Sequence, residues 1–278
     1  MVDLDISRAL AVCPAIDIGN PSEFRQPEPH HRLKMNIKGD GSFLMGPGAI
    51  AYADIQCSGS DNLITLAADG RMINSKIRIK GDRCRVLIGP RAKLKSVTIE
   101  LVWDDCLVVI GAGTTWESGA FICDRGQAII VGNDCMFSNN IMVRTNDGHG
   151  IWDNSSGKRV NMPGDVFIDH HVWIGNGARV SKGTRVGMGS VIGQCAVASG
   201  TLQPECVYAG IPARKKRENI HWTRDPSVDE MPVEYRLFEQ SAADAQDVMH
   251  SRDRTSVYKS ILSGFSSIKK IFIASVKA

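Results

Sequence analysis

The chain has 278 residues, 43% of them hydrophobic, enough for one substantial core with terminal additions. Its formal net charge of +3, without interleaved basic and aromatic residues, argues against nucleic-acid binding. The N-terminus carries acidic residues where a signal peptide needs basic ones, and no uninterrupted apolar run reaches membrane-spanning length, so a cytoplasmic protein is expected.

Residues 1–40 include NPSEFRQPEPHHR, a polar, proline-rich stretch that reads as a loosely packed arm or a cap over the first coil of a repeat domain. From about residue 41 to 217 the aliphatic residues keep a period that is neither helical nor that of an ordinary strand. Ile88 and Leu94 are six apart, Ile110 belongs to a further early coil, and Val131, Phe137 and Val143 continue the phase. The series Ile168, Ile174, Val180, Val186, Ile192 and Ala198 then repeats every sixth position without a break. Small or β-branched residues stand four places later at most steps, as at Ala178, Thr184, Ser190 and Ala196. A sixfold period means a parallel β-helix, in which each hexad lays one short strand on one face of a triangular prism. Three hexads close a coil, and each coil buries its apolar floor only by stacking on the next. Glycine, asparagine and lysine occupy the turns.

GHGIWDNSSGKRVNMPGD, from Gly148 to Asp165, breaks the register and reads as a loop expelled from a coil corner. Eight cysteines stand singly without a C-x-x-C pair, with Cys135 and Cys195 at or near inward small-residue positions. All eight read as reduced structural thiols. After Arg217 the repeat stops and residues 218–278 read as a helical extension. In it Tyr258, Ile261, Leu262, Phe265, Ile268 and Phe272 share one face, for which docking on protein is preferred over contact with a membrane surface.

Three motifs carry chemistry. TNDGHG places His149 at the root of the expelled loop between glycines, HHVWIG sets Trp173 before the inward Ile174, and VYAGIPARKKR ends the coils in a turn with four basic residues after it. An accessible histidine is a candidate general base, because its imidazole titrates near neutral pH. Asp147 or a backbone carbonyl would orient the imidazole, and the indole of Trp173 or a turn N–H could donate to negative charge developing in a reaction.

In order and context these motifs resemble the hexapeptide-repeat O-acetyltransferases, the group of galactoside and xenobiotic acetyltransferases and of capsule or polysialic acid O-acetyltransferases. The resemblance runs from about Val131 to Arg217. It implies a left-handed β-helix, a homotrimer with active sites between neighbouring prisms, and His149 as catalytic base. It also implies acetyl-CoA passing Trp173, Gly175 and Asn176, then Gln194 and Ser199, with its phosphates at Arg214 and Arg217. It further implies a glycan acceptor, with Asn140 as a candidate contact. Two positions depart from the pattern: Gln194 stands where a smaller residue is common, and Gly200 where relatives can carry lysine. An N-acetyltransferase acting on an amino sugar and a non-catalytic scaffold are the alternatives. A zinc site using His149, His170 and His171 is disfavoured, because neighbours on a strand point to opposite sides, and no metal is expected.

Overall fold

The computed structural model describes residues 12–13 and 15–227. The helices expected within 232–249 and 258–278 lie outside the described residues. Strands dominate, and they form a left-handed parallel β-helix of about eight turns.

One face of the prism is an eight-stranded parallel sheet in chain order: Ser42–Met45, Leu63–Leu66, Arg85–Ile88, Leu107–Ile110, Ala128–Val131, Val166–Ile168, Arg185–Val186 and Thr201–Leu202. We call it the third face. The remaining strands form one sheet that wraps the other two. The first face carries Lys93–Lys95, Thr115–Trp116, Met136–Phe137, Trp173–Ile174, Val191–Ile192 and Cys206–Ala209. The second carries Val97–Leu101, Gly119–Cys123, Ile141–Arg144, Arg179–Val180 and Val197–Ala198. The long strand Arg71–Ile79 spans both, pairing first with Lys93–Lys95 and then with Val97–Leu101 around a corner at Asn74, whose φ is 51°.

The sixfold register is the inward register. Ile168, Ile174, Val180, Val186, Ile192 and Ala198 are all buried in one continuous core, as are Ile88, Leu94, Ile110, Val131, Phe137 and Val143. The small residues Val172, Ala178, Thr184, Ser190 and Ala196 are fully buried beside the corners. An apolar column with small residues at its edges fills the prism axis.

Coil length explains why the register looks ragged upstream. Leu63 pairs with Arg85 and Arg85 with Leu107, a 22-residue coil, whereas Phe167 pairs with Arg185 only 18 residues on, the three hexads expected. In the long coils the third-face strands are buried on both sides, all four residues of Arg85–Ile88, Leu107–Ile110 and Ala128–Val131 being inaccessible. A strand buried on both sides loses the apolar–polar contrast that reveals a period.

Corners use more than glycine. Asp69, Arg91, Asp134, His171 and Glu205 stand at positive φ where the third face turns into the first, and Asn140 and Cys195 where the first turns into the second. Cys195 therefore faces outward, and Ala196 takes the inward small position. The other seven cysteines are buried thiols. Gly132 shows how tightly coils stack: a Cβ there would lie 2.6 Å from the His170 backbone nitrogen and 2.7 Å from the Asp169 carbonyl carbon.

The N-terminal arm runs back along the prism. Asn133 donates to the Ala15 carbonyl at 2.8 Å and accepts from the Asp17 N–H at 2.9 Å, and Arg25 forms an antiparallel bridge with Met45. Phe24 packs with Leu44 and Ala67. The β-helix unit ends at His221, and strand pairing at the N-terminal end begins with Lys34–Ile37. Trp222 opens a second unit, of which residues 222–227 are described. There the Asp225 carboxylate accepts from Ser227.

Candidate active site

The expelled loop leaves the corner between the second and third faces. Both ends are pinned to the coil: the Thr145 N–H donates to the Ile122 carbonyl, and Gly164 donates to Thr145 and accepts from Gly183. The loop is a small antiparallel hairpin, with Trp152 bridged to Arg159 and Val160 donating to Ile151 at 2.8 Å. At its tip the Asp153 carboxylate accepts from Ser155 and Ser156, which lowers its pKa to about 2. Ile151, Trp152, Val160 and Met162 are each more than half exposed, so the hairpin presents an apolar surface outward.

His149 is exposed at the base of this hairpin, between Gly148, at φ +84°, and Gly150. A Cβ on Gly150 would come 2.9 Å from the Trp152 indole nitrogen, so the glycine lets that ring lie over the chain next to His149. Asp147 sits two residues before the histidine. Its carboxylate accepts from Lys182 and, at 2.9 Å, from the Asn161 amide. The Lys182 ammonium, and after it the Asn161 amide, hold the Asp147 carboxyl below the usual carboxylate range. Asn161 carries no signal in the sequence, although it is 7% exposed and bonded to both Asp147 and the His149 carbonyl.

The other candidates gather on the first face and at its corner with the second. Trp173, 37% exposed, points outward while Ile174 fills the core. Trp173 pairs with Val191, Val191 with Val207, and Val207 with Arg217 on the final strand Arg214–Glu218. At one strand spacing per step, Trp173 and Arg217 stand about 14 Å apart along one row. Arg214 and Arg217 are exposed, while the intervening Lys215 is tied to Glu218 and Gln203. Gly175 leaves no room for a side chain, since its Cβ would meet the Gln194 backbone nitrogen at 2.8 Å. Asn176 and Gln194 are exposed at this corner, where the Cys195 N–H donates to the Asn176 carbonyl. Asn140 occupies the same column of turns, and its carbonyl accepts from Arg179 at 2.5 Å. Ser199 is exposed at the other corner, just after Val197–Ala198.

Two groups thus emerge on one chain. The His149 hairpin, Lys182 and Ser199 occupy the corner between the second and third faces. Trp173, Gly175, Asn176, Gln194, Asn140 and the arginines lie along the first face and its far corner, across the width of the second face.

His170 and His171 do not converge. His171 Nδ1 lies 2.7 Å from Asp134, whereas His170 faces Cys13 of the N-terminal arm, with Nε2 3.3 Å from the thiol sulfur. Cys13, Asp169 and His170 bring three potential ligand atoms together. The Asn133 N–H donates to His170 Nδ1 at 2.8 Å, so the neutral ring carries its proton on Nε2, toward the sulfur. A metal on Nε2 would leave an imidazolate, the reverse of the usual arrangement in which the second nitrogen donates. Burial also pushes the Cys13 thiol up and the His170 imidazole down, the direction of a neutral contact holding the arm.

No model of a known protein family matches the chain. It is 36% identical over 117 residues to a polysialic acid O-acetyltransferase of Escherichia coli O1:K1 / APEC, covering 42% of this chain and 38% of that protein. It is 31% identical over 125 residues to a polysialic acid O-acetyltransferase of Neisseria meningitidis, covering 45% and 57%. The chain therefore spans between about a third and somewhat over half of the length of these curated relatives. Among solved structures, the polySia-specific acetyltransferase NeuO superposes with a TM-score of 0.67 at 27% identity, covering 73% of this chain and 87% of that one. The polysialic acid O-acetyltransferase OatWY gives 0.64 at 28% identity, covering 75% and 95%. In sequence and in fold the chain is thus similar to these polysialic acid O-acetyltransferases.

Proposed function

We propose that the protein is an acetyl-CoA-dependent O-acetyltransferase acting on a sugar hydroxyl of an acidic surface glycan, with His149 as general base. The observation that carries this reading is the exposed imidazole of His149 at the foot of an expelled hairpin, on a prism like those of NeuO and OatWY. The neutral imidazole takes the proton of the acceptor hydroxyl as its oxygen attacks the thioester carbonyl. The tetrahedral intermediate collapses with cleavage of the carbon–sulfur bond, and the imidazolium returns the proton to the coenzyme thiolate. No acyl-enzyme is needed.

Acetyl-CoA is a substrate here. The outward row from Trp173 to Arg217 supports its placement, because the row is flat where Gly175 and Gly193 carry no side chain and ends in cations suited to phosphates. Asn176, Gln194 and Ser199 would contact the rest of the coenzyme. Arg144, Lys182 and Arg185 lie at or next to the hairpin corner and favour an anionic acceptor, in keeping with the polysialic acid named for the relatives. The separation of the His149 group from the Trp173 group on one chain supports a site shared between protomers. The exposed apolar hairpin supports a neighbour to cover it, and a closed trimer supplies three equivalent shared sites. Among the described residues no helix is long and apolar enough to cross a membrane, and acetyl-CoA as donor fits a cytoplasmic enzyme.

The test is transfer of radiolabelled acetyl from acetyl-CoA to polysialic acid, to neutral glycans and to an amino sugar. Label should enter polysialic acid as an alkali-labile ester, and His149→Ala should lower kcat about 10²–10⁴-fold in a folded protein. Alkali-stable label, or a His149→Ala variant near the wild-type rate, would refute the reading.

A further inference from the structure

His149 stands between two glycines, the arrangement that leaves a backbone least constrained. A base whose reacting nitrogen wanders by an ångström loses about 10²-fold in rate, so something must remove that freedom. We infer that Asn161 is the positioning residue for His149, an inference that rests on the proposed role of His149 as the base.

A carboxamide has two N–H donors and an oxygen with two lone pairs, and in Asn161 all four are used. Nδ2 donates to the His149 carbonyl at 2.8 Å and to Asp147 Oδ2 at 2.9 Å. Oδ1 accepts from the Ile151 N–H at 2.7 Å and from Arg159 Nε at 3.1 Å. One nearly buried side chain therefore holds the residue two before His149, the His149 carbonyl and the amide two after it, and is itself held by Arg159 of its own arm of the hairpin. Flipping the amide would set its oxygen against a carboxylate and a carbonyl, and its NH₂ against two donors, so the network admits one orientation. The contacts fix the two peptide planes that follow His149, one through its own carbonyl and the next through the Ile151 N–H, while the chain before it is tied through the Asp147 side chain; together they restrict its Cα–Cβ direction. Asp147 is steadied from its far side by Lys182. None of the four hydrogen bonds of Asn161 reaches the histidine ring, so it acts through the backbone and Asp147.

A structural prop and a positioning residue differ in what their loss changes. Asn161→Ala should lower kcat about 10–10²-fold and leave the acetyl-CoA KM within about twofold, because the coenzyme row lies on another face. Asn161→Asp, which keeps the two acceptor contacts but turns both donors into a repelling oxygen, should be at least as slow. In a His149→Ala background Asn161→Ala should cause no further loss, since its effect passes through the ring that is gone. Hydrogen–deuterium exchange provides a readout that needs no turnover: the Ile151 amide and the 147–151 segment should lose protection in Asn161→Ala while the coils keep theirs. Unchanged exchange across 147–151 would overturn the positioning role whatever the reaction proves to be. So would near wild-type kcat in Asn161→Ala, or an equal further loss on top of His149→Ala. If exchange behaves as expected but His149→Ala remains active, the fault lies with His149 as base and not with the clamp.

Discussion

Phe137 is where a single deletion should cost the prism most. It is 2% exposed, its ring lies 5.3 Å from that of Trp116 at 45° and 6.2 Å from that of Phe121 at 73°, and its strand pairs with Trp173–Ile174. Trp116 is itself held by a hydrogen bond from its indole nitrogen to the Ser118 carbonyl at 2.8 Å, so it cannot swing into the space that Phe137→Ala leaves. Truncating a buried phenylalanine costs about 3–5 kcal/mol, and a rigid surround favours the upper half of that range. Against a net stability of about 5–15 kcal/mol this is a large fraction, and it should lower Tm by about 6–20 °C. Phe137→Leu keeps most of the volume and should cost less than about 2 kcal/mol. The measurement is guanidinium unfolding at fixed protomer concentration, with hydrogen exchange of the coils on either side, since each coil contacts only its neighbours. A loss below about 1 kcal/mol at unchanged m would refute the picture of a rigid aromatic layer.

Other expectations each rest on a single observation. Gly132→Ala drives a methyl group into the His170 backbone, so it should either unfold the protein or raise exchange around His170 and Trp173; a variant with unchanged melting and exchange would contradict the coil spacing. Asp153 should titrate near 2 by carboxyl-carbon NMR, and Ser156→Ala should move it toward the ordinary value. Because its folded pKa is depressed, its turn contacts contribute fully above the ordinary carboxylate range and are lost as pH falls toward 2, with the hairpin tip loosening first; a normal Asp153 titration would count against this turn. Replacing Arg214 and Arg217 together with alanine should raise the acetyl-CoA KM more than tenfold with kcat changed only a few-fold, and an unchanged KM would remove the phosphates from the end of the Trp173 row.

The hexad from Ile168 to Ala198 decided the architecture by itself, because a residue that must fill the prism axis repeats whenever the chain completes one face. The same locality made the break at Gly148 visible and set His149 apart, since a loop excluded from the core carries no hexad. The 22-residue coils upstream needed the structure, because strands buried on both sides show no polarity pattern. So did the arm, whose Ala15 carbonyl and Asp17 N–H are satisfied by Asn133, more than a hundred positions away. Asn161 was invisible for a related reason: its partners at 147, 149 and 151 meet it only once the hairpin has closed, and a lone asparagine in a polar loop looks like any turn residue. Local periodicity writes the coil into the sequence, whereas hydrogen bonds that close across a loop or along the prism depend on distances that only the folded chain sets.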